Sequence, residues 1–73
     1  MKIIVINYED RYIEVVPLTS DEQTRTNDEG EIKAASILSE RGFDINNIRL
    51  SWMVVDSDCP VFWYGETVPI INL

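Results

Sequence analysis

Two stretches near the N-terminus constrain the fold more than anything else in the chain. Lys2–Tyr8 (KIIVINY) is β-branched and aromatic, and Arg11–Leu18 (RYIEVVPL) resumes that character with Ile13 and Val15 set against Glu14 and Val16. Such side chains suit a pleated surface, so two runs divided by the polar pair Glu9-Asp10 predict a β-hairpin. The break lacks the glycine that a two-residue primed turn favours, and a longer loop is expected. Pro17 has no N–H to give a ladder and belongs at a strand end or an edge.

The next stretch, Thr19–Asn27 (TSDEQTRTN), is polar, has no apolar period, and reads as a loop with one helical turn begun at Ser20. A helix is predicted from Asp28 to Arg41. Thr26 with Glu29, or Asp28 with Glu31, supplies a capping box, and the early acids suit the positive end of the helix dipole. Ile32, Ala34, Ala35, Ile37 and Leu38 form its apolar arc, with Lys33, Ser36 and Glu40 opposite. Gly42 stands where a left-handed C′ residue belongs, and Phe43 is expected to pack on Leu38.

Asp44–Asn47 is a predicted turn. Ile48–Val55 then reads as a strand with Ile48, Leu50, Trp52 and Val54 on one face. Asp56–Pro60 breaks it. Val61–Tyr64 reads as another strand, Gly65-Glu66 as a tight turn, and Thr67–Asn72 as a short last strand pushed towards the edge by Pro69. The expectation is one α+β domain over residues 1–73, with element order β-β-α-β-β. It is a four- or five-stranded, mainly antiparallel sheet with one helix packed on one face. In this element order, MKIIVINY, RYIEVV and EIKAASILSERG resemble the first two-thirds of a β-grasp (ubiquitin-like) domain. The resemblance implies a sheet packed on its helix. The chain has no terminal Gly-Gly and no residue-specific motif of that family, so no functional residue carries over.

Composition narrows the function. A chain of 73 residues buries about 60% of its unfolded surface, which leaves a single core with about 3–5 kcal/mol of net stability. The chain contains no histidine and one cysteine. Ser-His-Asp and Cys-His catalysis, histidine-bearing zinc sites and an internal disulfide are therefore excluded within it. Cys59 sits between acids and Pro60, without the cation or base that activates a thiol. Asp56, Asp58 and Glu66 offer hard oxygen ligands, but Asp-x-Asp without a calcium loop reads as a solvated turn. The three glycines are isolated, so no phosphate-cradling loop is present. Neither a catalytic residue, a metal ligand nor a cofactor is expected.

The net charge is −7 and the six basic residues are scattered. Phosphate neutralisation needs clustered Lys and Arg, so direct binding of nucleic acid or of anionic membrane is not expected. A basic protein surface is the favoured partner, because complementary fields speed encounter. The single thiol and the absence of a recognisable targeting segment point to the cytoplasm.

Two groups of residues are candidates for partner binding. The first is the acidic run Asp21, Glu22, Asp28, Glu29 and Glu31, relieved only by Arg25; it reads either as a solubilising face that complements the helix dipole or as charge spaced like the phosphates of a nucleic acid. The second is the pair Trp63 and Tyr64. Period-2 alternation sends them to opposite faces of a sheet that one helix covers on one side, and exposed Trp and Tyr are common interface anchors. The expected function is a small non-enzymatic acidic protein that blocks or modulates a basic surface on a nucleic-acid-handling protein. In compactness and charge it resembles phage and mobile-element inhibitors, anti-CRISPR and other anti-defence proteins among them. The alternative is an accessory module that forms a homodimer, or docks into a larger complex, through its sheet. Pro69 guards one edge, and the N-terminal strands carry no comparable guard.

Overall fold

The computed structural model describes residues 1–24, 33–61 and 68–73. It is a small α+β fold: β1 (Lys2–Asn7), β2 (Tyr12–Pro17), α1 (Ser20–Thr24), α2 (Ala34–Glu40), β3 (Leu50–Val55) and β4 (Ile70–Asn72). The four strands form one sheet in the order β3-β1-β2-β4.

The predicted hairpin is present. β1 and β2 pair antiparallel with Ile4 opposite Val15 and Ile6 opposite Ile13. Their loop, Tyr8–Arg11, is the longer kind that the missing glycine implied. Asn7 organises it, its Oδ1 accepting the N–H of Glu9 at 3.0 Å and of Asp10 at 2.9 Å. Arg11 closes it at φ 58°, a left-handed conformation that a side chain resists.

The sheet departs from the antiparallel expectation at its far edge. β1 pairs antiparallel with both β2 and β3, so β2 and β3 run the same way. After β3 the chain adds β4 parallel to β2, with Ile13 beside Ile70; the connection is residues 56–69. A connection of a dozen or more residues is what a parallel pairing requires. The N-terminal strands, expected to carry an unguarded edge, lie at the centre instead. Among the described residues the edges are β3 and β4. Val61 precedes the crossover's central part and belongs to no strand; the remainder of the predicted strand 61–64 lies outside the described residues.

Both faces are buried to some depth. Partners across a ladder share a face, so Ile3, Val5, Val16, Leu50, Trp52 and Val54 point one way. There Ile3, Val5 and Val16 meet Ile37 and Leu38 of α2, all but fully enclosed, with Phe43, Leu50, Trp52 and Val54 packed around them. On the other face Ile4, Ile13 and Val15 are covered by Val61, Val68 and Ile70. That face, expected to be open, is closed at its centre by the returning chain. Ile48 falls outside the strand predicted to hold it and is 94% exposed.

Two helices are described rather than one. α1 realises the single turn foreseen at Ser20. α2 begins at Ala34, and the capping pairs Thr26/Glu29 and Asp28/Glu31 lie outside the described residues. The C-terminus of α2 follows its prediction closely. Gly42 has φ 93°, its N–H reaches the Ser39 carbonyl at 3.1 Å, and the Phe43 N–H reaches that of Leu38 at 3.0 Å. This is the two-bond Schellman ending, with Phe43 folded onto the cluster that holds Leu38.

Candidate partner-binding surface

The sequence placed its first candidate group on one acidic run, and the structure treats the two described members differently. Asp21 is exposed in the first turn of α1. Glu22 is turned inward, 8% exposed. Its Oε1 accepts the Thr19 N–H at 2.9 Å while the Thr19 hydroxyl accepts the Glu22 N–H at 3.2 Å. This reciprocal capping box is written in Thr19-x-x-Glu22, a signal the sequence reading passed over in favour of later pairs. Arg41 then grips the same carboxylate, with Nε at 3.1 Å from Oε2 and a terminal nitrogen on Oε1. That nitrogen also donates to the Pro17 carbonyl at 3.1 Å. The Arg41 guanidinium, then the Thr19 backbone, hold the Glu22 carboxyl down at about 2. The expectation of Glu22 as a partner-facing charge is therefore corrected: desolvation and a bidentate arginine commit it to the fold. Asp28, Glu29, Glu31, Trp63 and Tyr64 lie outside the described residues.

A different acidic feature emerges where the hairpin meets the end of α2. A cleft of about 290 Å³ opens between the helix-side face of the sheet and the turn after Gly42, lined by Asn7, Tyr12, Glu14, Phe43, Asp44 and Leu50 among others. Glu14 reaches it because it shares a face with Val16 and Val5, the face that is core further along the strand. Asp44 arrives through the turn that follows the Schellman ending, where its Oδ1 accepts the Asn46 N–H at 3.2 Å. Hydrogen bonding to the Glu14 carboxylate raises the Tyr12 phenol above its ordinary value, against an opposing contribution from Asn7. Arg41 stands at the rim, its charge already met by Glu22.

The cleft gathers acidic and aromatic groups in one place. Glu14 and Asp44 supply negative charge, Tyr12 and Phe43 supply ring surface, and Val5 and Leu50 form an apolar floor. Its volume falls just under the ~300–1,000 Å³ usual for small-molecule sites and suits one long side chain. Sequence reasoning missed it because Glu14, Asp44 and Tyr12 are 2 to 32 positions apart and follow no motif. The available signal was a charged residue on the core face of a strand.

The remaining candidates are plainly placed. Trp52 is half-buried against the helix-side core, Tyr8 is 56% exposed in the hairpin loop, and Asp56 and Asp58 are exposed. Cys59 is half-buried, with its N–H on the Asp56 carbonyl at 3.0 Å and its own carbonyl accepting the Lys2 ammonium at 2.6 Å. Among the described residues, no three His, Cys, Asp or Glu gather as a metal site would require, and no helix is long and apolar enough to cross a membrane. Comparison with known proteins adds no relative: no family model, curated protein or solved structure matches this chain.

Proposed function

We propose that this protein acts without catalysis, by occupying a basic surface of a cytoplasmic protein, and that the Glu14–Asp44 cleft receives a lysine or arginine from it. The observation that carries the reading is the cleft itself: two carboxylates and two aromatic rings around a hollow of side-chain size, beside a guanidinium that is already neutralised. Glu9, Asp10, Asp21, Asp56 and Asp58 are exposed around the molecule and extend the negative field that draws a basic partner. Trp63 and Tyr64 serve as apolar anchors, and Asp28, Glu29 and Glu31 as further charge. A nucleic-acid-binding groove is the partner surface of choice, so occupancy excludes nucleic acid, the way a phage-encoded inhibitor acts.

The test begins with affinity capture from the native host and continues with titration of the captured protein. Binding is expected to weaken steeply between low and moderate salt and to compete with nucleic acid. Replacing Glu14 by Gln together with Asp44 by Asn should weaken it about tenfold or more, ~1.4 kcal/mol, at unchanged stability. Salt-independent binding that tolerates both changes would end this reading.

A further inference from the structure

We propose that the outer edge of β3 pairs with the same edge of a second copy of this chain, giving a closed two-fold dimer whose sheet runs through both copies. β3 is an edge strand of six residues, and among the described residues no strand lies outside it. The phase of its ladder is fixed by the Tyr8 N–H, which donates to the Arg49 carbonyl at 2.8 Å. Hydrogen-bonded and open pairs alternate in an antiparallel ladder. Ser51, Met53 and Val55 therefore direct their backbone groups at β1, and Leu50, Trp52 and Val54 direct theirs outward. The Leu50 N–H is spent on the Asn47 carbonyl at 3.1 Å. What faces out is the Leu50 carbonyl and both groups of Trp52 and Val54.

This edge matches itself. With Trp52 on a two-fold axis, the two Trp52 residues exchange N–H···O bonds, and each Val54 N–H meets the Leu50 carbonyl of the other copy. The same register sets Arg49 of each copy opposite Val55 of the other, so no acid stands directly across from another acid along the seam. The edge is also spared the repulsion that the rest of the chain would impose. With a net charge of −7 overall, residues 45–55 contain no acid and a single base. Free edges are ordinarily guarded by charge, by proline or by shortness. The opposite edge, β4, has two of these guards: it is three residues long and follows Pro69. One open edge and one blunted edge favour a closed pair over a growing fibre.

Light scattering and hydrogen exchange test this together on the intact chain. At about 0.2 mM the mass should be twice 8.4 kDa, falling towards one chain on dilution. The amides of Trp52 and Val54 should gain protection with concentration, whereas those of Met53 and Val55, bonded to β1, should be protected throughout. Met53 is 58% exposed, so Met53→Lys should fold and raise the dissociation constant at least tenfold. Ser36→Lys, on the outer side of α2, should leave it unchanged. A single-chain mass at that concentration, fast exchange at Trp52 and Val54 regardless of concentration, or a dimer indifferent to Met53→Lys would overturn the proposal. So would a β3 edge taken only by another protein's strand.

Discussion

The two faces of the sheet are buried by different means. On the helix side, Ile3, Val5 and Val16 of the sheet and Ile37 and Leu38 of α2 are exposed by no more than 1%. On the other side Ile4, Ile13 and Val15 retain 3–8%, and among the described residues their cover is Val61, Val68 and Ile70 rather than a helix. A helix presents a continuous apolar stripe whose side chains interdigitate with the sheet. Val61, Val68 and Ile70 cover the other face as separate side chains. The difference ranks the faces: the first holds the domain together, and the second seals it.

Truncation should expose that ranking. Leu38→Ala is expected to cost about 3–4 kcal/mol, comparable with the whole stability of a domain this small, so chemical denaturation should find it largely unfolded. Ile13→Ala, on the sealed face, should cost about 2 kcal/mol and leave a folded protein. Equal losses would erase the contrast between the faces. Next in size is the bond between α1 and the end of α2. The Glu22 carboxyl lies at about 2 in the fold against 4.5 in the free chain. Its stabilisation is therefore complete above pH about 4.5 and lost as pH falls towards 2. After allowance for the part-exposed guanidinium, about 2 kcal/mol should disappear across that window. Glu22→Gln should remove that amount at neutral pH and flatten the acid limb of the stability curve.

Backbone effects come last. A Cβ added at Gly42 meets nothing within 4 Å, so Gly42→Ala should cost only the left-handed penalty, about 1 kcal/mol. Arg11→Gly should work in the opposite direction, relaxing a strained loop position by about 0.5 kcal/mol net. Thermal denaturation of both variants checks the pair, and a Gly42→Ala loss well above 1 kcal/mol would mean that the helix-side core depends on that ending more than its packing suggests.

These residues also mark how far the sequence could be read. Local signals translated well: the hairpin from its β-branched runs, the end of α2 from Gly42-Phe43, the turn at Ser20. Strand direction did not, because side-chain alternation is the same in parallel and antiparallel pairing, and only the length of 56–69 allowed a crossover. Order in the sheet is likewise absent from periodicity, which is why the N-terminal hairpin was expected at an edge. Of the candidate surface, only the exposure of Asp21 was legible. The inward turn of Glu22 depended on Arg41, 19 positions away, and the cleft joined residues from four separate segments.

β4 is the last element in the chain and the smallest, yet it occupies the flank that β2 would otherwise leave bare. If those final residues were clipped or peeled away, the molecule would have bare rims on both sides, and the proposed pairing of two copies would gain a second place from which to propagate. On that proposal the three-residue strand β4 works as a stopper, and its removal is expected to lower solubility more than its share of the core suggests.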